Sequence, residues 1–427
     1  HGGWPLSAWL TPELKPFYGG TYFPPENRAG RPGFPGILQA IEQSWRTDLG
    51  KLVAEGERAI GALVDYHAGT KGRHGDKAPD ERALVEAASA ALGKGFEYFY
   101  EALDAANGGF GGAPKFPRAS NLNFLFRIAA LQGPDSEMGG EAVKLSTATL
   151  RAMARGGIHD HVGGGYHRYS VDEAWFVPHF EKMLYDQAQI AVNFLEAKQA
   201  TGDERFAWMA RDIFDYVLRD LQSPAGGFYT AEDADSAVPV GGAGPGLPAG
   251  ERAHAEGAFY VWTKAEIVAA AGADAALFCR HYCVEENGNV PAHLDPQGEF
   301  KGKNILVQGS PLAESADGFQ LTLEEANEKL FGTLSKIREL RSRRPRPQLD
   351  DKVLSANNGL MISALARGAQ VLEAGGATAA SQSPVNGQTG DSPGLARDPG
   401  PVEQPEPVEA GDRLLQAAIR AADFLQR

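Results

Sequence analysis

The sequence predicts a mostly α-helical protein, a ring of helical hairpins preceded by a small ββα unit. Three observations predict it. Apolar residues recur at helical spacing over most of the chain. Gly108-Gly109-Phe110, Gly164-Gly165-Tyr166 and Gly226-Gly227-Phe228 each follow a candidate helix, with their aromatics 56 and 62 residues apart. That period is the length of two helices with loops, and fixed-period similarity marks a repeat architecture. The first 66 residues have a different texture, with short aromatic runs before a single helical stretch.

The elements follow in order. The chain opens on His1-Gly2-Gly3-Trp4-Pro5, within a turn and without a basic leader, so it is expected to be a fragment whose N-terminus lies upstream. Leu6–Leu10 and Phe17–Phe23 flank the turn Thr11-Pro12-Glu13-Leu14-Lys15-Pro16, a β-hairpin pattern. From Pro35 to Tyr66 the apolar residues Ile37, Ile41, Trp45, Leu49, Leu52, Ile60 and Leu63 predict a helix. A polar linker is expected over 67–79, followed by a helical domain over 80–427. Within that domain helices are predicted at 81–105, 120–132, 140–155, 182–201, 203–221, 323–344, 353–373 and 412–427. The stretches 238–250 and 374–411, rich in Gly, Pro, Ala and Ser, are expected to be flexible surface insertions. They account for part of the 52 glycines; the paired glycines permit tight helix exits, with ordinary cap chemistry as the competing explanation.

Composition narrows the function. The 427 residues carry 41 basic and 55 acidic side chains, a net charge of −14, which argues against nucleic acid and anionic membrane as partners. No apolar run approaches the ~20 residues of a membrane span. Cys279 and Cys283 cannot build a disulfide framework, which favours a reducing, cytoplasmic compartment.

Two clusters can carry chemistry. Residues 156–186 hold four of the ten histidines, His159, His161, His167 and His179, with Arg168, Trp175, Glu181, Tyr185 and Asp186. Such side chains donate and accept protons or bind metal, but their spacing matches no structural-zinc pattern and no metal is expected. The second cluster, Tyr229 to Ser236, contains Glu232, Asp233 and Asp235. In an extended strand Asp233 and Asp235 would lie about 6.5–7 Å apart on one face, within the range of glycosidic carboxylate pairs, although turn and cap roles compete. Glu256 adds a carboxylate beside an aromatic strand-like run. Arg338 to Arg346 is expected to be a solvated helix end with local ion pairs. The loop aromatics Phe110, Phe116, Tyr166, Tyr169, Trp175 and Tyr229 could stack on sugar rings or pack the core.

Segments His1–Pro25, Gly108–Pro117, Gly156–Gln187, Gly226–Ser236, Glu256–Thr263 and Asp350–Met361 resemble the spermatogenesis-associated thioredoxin-like protein family. The resemblance implies the C-terminal ββα part of a thioredoxin-like fold over 1–66, with Pro5 as its structural cis-proline. It implies a six-hairpin (α/α) toroid, incomplete here, similar to N-acylglucosamine 2-epimerases and six-hairpin glycosidases. The family's Cys-x-x-Cys has no counterpart in this chain, and Asn357 stands where the family usually carries Trp.

The resulting expectation is a carbohydrate-active toroid with a sugar or glycan ligand and no cofactor. Its catalytic candidates are His167, His179, Glu181, Asp233 and Asp235. Its binding candidates are Phe110, Lys115, His161, Tyr166, Arg168, Trp175, Tyr185, Asp186, Tyr229, Glu232 and Glu256. Hydrolysis would use the carboxylates and epimerisation the two histidines. A non-catalytic scaffold, or a thiol oxidoreductase in a longer protein, stand as alternatives.

Overall fold

The computed structural model describes residues 6–21, 23–27, 32–70, 80–238, 254–296, 298–378 and 407–426. Pro5, most of the 67–79 linker and most of both expected insertions lie outside the described residues. The chain divides into two units, His1–Ala88 and Ser89–Arg427.

In the first unit β1 (Ser7–Leu10) pairs antiparallel with β2 (Pro16–Gly20), Trp9 opposite Tyr18. The turn closes through Leu14 N–H on Thr11 O at 2.8 Å, with Leu14 at φ 62°. Trp9, Tyr18, Phe23 and Phe34 form an aromatic cluster around the hairpin. The single helix expected over 35–66 is two, α1 (Phe34–Thr47) and α2 (Leu49–Thr70). Asp48 breaks them: its φ of −149° leaves the helical region, and its Oδ1 accepts from Lys51 N as a new N-cap. The apolar spacing runs through this break, so periodicity alone missed it.

The second unit contains α3 (Glu81–Ala102), which begins in the first, α4 (Ala119–Gln132), α5 (Glu137–Arg155), α6 (Leu184–Thr201) and α7 (Glu204–Tyr216), the last prolonged by a π turn to Leu221. After a long inserted segment come α8 (Lys264–Ala271), α9 (Ala275–His281), α10 (Leu312–Gly318), α11 (Leu323–Ser342), α12 (Ser355–Thr378) and α13 (Pro407–Gln426). Helix α4 packs on α5 and α6, α6 on α7 and α12, and α12 on α13. The inner helices α4, α6 and α12 thus stand in series, with their hairpin partners behind them: an arc of an (α/α) toroid. Phe126, Phe194, Phe214, Met361 and Leu414 belong to the one core these hairpins share. Helices α8–α11 bury a separate core around Trp262, Phe278 and Ile337. Three of them, α8, α9 and α10, were not foreseen, because runs of seven or eight residues barely develop a period.

Short strands knit the loops: β3 (Tyr169–Ser170), β4 (Pro178–His179), β5 (Lys182–Met183), β6 (Ala231–Glu232), β7 (Asp235–Ala237), β8 (His254–Glu256) and β9 (Leu349–Asp350). Strand β6 lies between β5 and β9, so the connections into α6, out of α7 and into α12 form one small sheet.

The glycine repeat is a repeat of detailed structure. Phe110, Tyr166 and Phe228 each form a β-bridge, to Leu103, His159 and Gln222. Gly108 N–H reaches Asp104 O and Gly164 N–H reaches Asp160 O, both at φ near +70 to +80°. In each case a buried lysine then binds the same two groups. Lys115 Nζ donates to Asp104 Oδ2 (2.6 Å) and Gly108 O (2.8 Å); Lys182 Nζ donates to Asp160 Oδ2 (2.7 Å) and Gly164 O (2.8 Å). In the third copy Ser223 replaces the aspartate, and a cavity of about 310 Å³ opens beside Ser223, Gly226 and Arg420.

Asp160 is the most heavily used of these anchors. It also takes Arg341 from α11 in a two-point pair at 2.7 and 3.0 Å, and the amides of Val162 and Gly163. Desolvation opposes its charge, but Arg341 and Lys182 outweigh that and hold its carboxyl well below the usual range. Asp160→Asn would leave two buried cations short of a counter-charge. It should cost about 3–5 kcal/mol, read as a lowered urea midpoint; a loss below about 1 kcal/mol would remove Asp160 from this role.

Candidate functional site

One group of the candidate residues converges. The hairpin β3–β4 sets Tyr169 opposite His179, their rings stacked at 4.9 Å, and Phe116 stacks on the other partner, Tyr169, at 4.7 Å. His179 is held by carboxylates on both nitrogens: Nδ1 meets Glu256 Oε1 at 2.7 Å and Nε2 faces Glu181 Oε2 at 3.7 Å. Glu256 reaches it from β8, which antiparallel pairing with β7 fixes in place. Glu181 also accepts from Arg168 Nη1 at 2.6 Å, and Arg168 bonds Tyr185 at the start of α6. Asp186 follows one residue later.

Burial and charge divide the roles of these groups. Desolvation works against a charged His179, yet the bonds to Glu181 and Glu256 prevail and raise it to about 9. It is therefore an imidazolium at neutral pH. Glu181 is lowered, first by His179 and, against desolvation, by Arg168. Asp186 moves the other way: burial, with a small addition from Glu181 and against Arg168, lifts its carboxyl to about 7. Its Oδ2 and the Nε of Arg168 are buried and make no hydrogen bond within the described residues. The site thus holds a proton donor, a carboxyl near its titration point, and one unsatisfied atom each of acceptor and donor type.

The other candidates fall elsewhere. His167 is 2% exposed, its Nδ1 on Phe180 O at 2.9 Å and its ring edge-on to Phe180 and Tyr260. Burial first, then Lys182, keep it well below the ordinary histidine value. This corrects the expected pairing of His167 with His179: a buried neutral ring cannot reach a ligand beside an exposed edge of the site. His161 is likewise taken up by packing, against His159 and Tyr282 with Nε2 on Gly156 O. Phe110, Tyr166 and Trp175 are core side chains, so the stacking role expected of them gives way to packing. Trp175 donates Nε1–H to Asn107 O. Lys115 is fully buried and spends its ammonium on Asp104, Gly108 O and Glu173 O. Glu232 is buried between Tyr216 and Arg346. The ion pairs expected of this tract are present and Arg343 and Arg346 are exposed, but the Arg341 and Arg344 side chains are buried against Asp160 and Glu266. Tyr229 is half-buried, with its backbone amide on Leu221 O.

Asp233 and Asp235 are exposed, and Asp233 Oδ1 accepts from Asp235 N at 3.0 Å, a local turn bond. Asp235 sits beside Glu256, opposite which it pairs in β7–β8. Sequence reasoning missed Asp160, Lys182 and Arg341, the buried frame beneath the site. One signal was available: an aspartate stands four residues before the first glycine of both Asp104 and Asp160 loops.

These units define a thioredoxin-like segment followed by an (α/α) toroid domain. A family profile described as "Protein of unknown function, DUF255" (Thioredox_DsbH) matches residues 1–64. The chain is similar to spermatogenesis-associated protein 20: it is 41% identical to the human protein over 375 residues, 86% of this chain and 45% of that one. The mouse protein matches at 40% identity over the same length and shares, 86% and 45%. The chain therefore spans less than half the length of these relatives. Among solved structures it is similar to a sugar epimerase from a ruminal bacterium (11% identity, TM-score 0.29, 78% of this chain and 98% of that one). A cellobiose 2-epimerase from Spirochaeta thermophila gives 14% identity, TM-score 0.31, and coverage of 81% and 100%.

The raised His179 has a stability consequence. Its folded value of about 9 lies above the ordinary ~6.5, so the stabilisation is complete below pH ~6.5 and lost as pH rises through about 9. An NMR titration of His179 should show a midpoint near 9, and Glu256→Gln should lower it; an unchanged midpoint in that variant would sever the pair.

Proposed function

We propose that this chain carries a sugar-binding site that moves protons on its ligand, in the manner of an epimerase or isomerase rather than a glycosidase. The observation that carries the reading is the convergence of His179, Glu181, Glu256, Arg168 and Asp186 around the Tyr169 stack. An ionised Asp186 is a base of suitable strength near neutral pH, and the His179 imidazolium is the matching acid. Arg168, paired with Glu181, fixes that carboxylate beside the stack. Phe116, exposed at the end of the Phe116–Tyr169–His179 stack, offers a ring of the kind on which sugars stack. Hydrolysis is less well supported: Glu181 is engaged by Arg168 and His179 and is lowered, the wrong direction for a carboxylic general acid.

Thiol chemistry finds little support in these residues. Cys279 and Cys283 are free and half-buried, and burial raises both thiols. A purely binding role would rest on the same side chains without the Asp186 and His179 chemistry.

The test is solvent exchange. Incubated with reducing sugars in deuterated water, the chain should introduce deuterium at the carbon next to the carbonyl, seen by proton NMR. Its rate should form a bell between pH about 7, where Asp186 ionises, and about 9, where His179 loses its proton. Asp186→Asn and His179→Gln should each slow exchange about 10²-fold or more. Ligand binding without any exchange would leave only the scaffold reading.

A further inference from the structure

We propose that the cavity at the third glycine turn is a second ligand site, for a small zwitterion of the α-amino acid class, with Arg420 taking its carboxylate and Asp423 its ammonium. It shares no residue with the sugar site above. The repeat explains why a cavity lies here. In the second copy Gln187 ties both backbone groups of Tyr166, its Oε1 accepting from the amide and its Nε2 donating to the carbonyl. In the third, Asn358 does the same for Phe228. Counting back five residues from each sets Val353 where the second copy has Lys182. With Ser223 in place of Asp160, both members of the buried ion pair are gone. Ser223 keeps the backbone pattern: its amide donates to Gly227 O at 2.8 Å and its carbonyl accepts from Gly226 N at 2.9 Å. Yet Gly226 O, whose counterparts Gly108 O and Gly164 O hold lysines, accepts no hydrogen bond among the described residues. The outer helices differ in the same way. Thr149 of α5 accepts from Gly109 N and Asp212 of α7 from Gly165 N, both at 3.0 Å. Helix α13 brings Phe424 there instead, its ring 2.8 Å from where a Gly227 Cβ would lie, and the buried Gly227 amide finds no acceptor among the described residues.

The cavity's size and charges select the ligand. At about 310 Å³ it lies at the lower end of the ~300–1,000 Å³ usual for small-molecule sites, so its occupant has few heavy atoms. Its buried lining, Ser223 and Gly226, is polar and neutral. Its exposed lining carries one charge of each sign. Arg420 and Asp423 lie three residues apart on α13, and neither makes an ion pair or side-chain hydrogen bond with the other or with any described residue. An exposed pair at that spacing is weak, so little is lost when a ligand separates the two. An anion alone would meet Asp423 and a cation alone would meet Arg420; a ligand with both charges satisfies both. An α-amino acid carries them one carbon apart. Its carboxylate suits the two-pronged guanidinium, and its ammonium has three donors for Asp423, Gly226 O and Ser223 Oγ. Gly226 is what allows α13 to lie so near the turn. It stands at φ +115°, and a Cβ there would be 3.0 Å from Arg420 O.

The experiment titrates the full chain by calorimetry with glycine, L-alanine, propionate, ethylamine and glucose. Glycine and L-alanine should each bind at one saturable site. Propionate and ethylamine, which carry one charge each, should bind about tenfold more weakly or worse. Arg420→Gln should weaken L-alanine about tenfold and leave the thermal midpoint unchanged, because that side chain is exposed and unpaired; Asp423→Asn should do the same. No saturable binding of either amino acid overturns the proposal. So does propionate or ethylamine binding as tightly as L-alanine, or L-alanine binding that survives both substitutions. Glucose binding that is lost in the same variants assigns the cavity to a hydroxyl ligand and overturns it as well. Neither variant touches His179 or Asp186, so failure here leaves the sugar-site reading standing.

Discussion

Everything near the site is built on one buried carboxylate. Asp160 gathers Lys182 from the approach to α6, Arg341 from α11 and two amides of its own loop. Buried ions are costly unless fully met, and a pair broken at one partner is worse than none. The arrangement therefore specifies a single register for three segments distant in sequence. Lys182 begins the strand that pairs with Glu232, and Glu181 lies immediately before it. The position of the site's central carboxylate is thus a consequence of where the lysine next to it must go.

The charged groups fall into two populations that differ by solvent access. Inside, Asp160, Lys182, Arg341 and Glu232 neutralise one another and are inaccessible to a ligand. Outside, His179, Glu181, Asp186 and Glu256 are only half-buried, and the proton affinities of His179, Glu181 and Asp186 are pulled apart. Groups whose environments separate their titrations can act as acid and base at one pH. The inner population holds the second in place.

Much of this was legible in the sequence, and the limits were physical. The hairpin, the long helices and the glycine repeat were readable because period and turn residues are local properties. The convergence of Arg168, His179, Glu181, Tyr185 and Asp186 was visible as a dense segment. Glu256, more than 70 residues further on, was visible only as a candidate. The separation of His167 from His179 was not readable, since adjacent alternation in a short loop decides which ring turns inward. The aromatics after the glycine pairs had the composition of a stacking surface, and only packing shows that they face the core. The break at Asp48 was hidden because a capped restart can preserve the apolar stripe.

The two anchored loops differ in one respect that bears on how such a protein can change over time. Lys115 follows Asp104 by 11 residues, whereas Lys182 follows Asp160 by 22. In both, the ammonium returns to the same aspartate and the same glycine carbonyl, so the loop ends are tied whatever length runs between them. The longer version holds Arg168, Tyr169, His179 and Glu181 in that span. A knot of this kind separates two requirements that usually conflict, a frame that must not vary and a surface that must. Exposed residues of the second loop can be exchanged while the tie still fixes where the following helix begins. The ring can therefore acquire new chemistry one loop at a time.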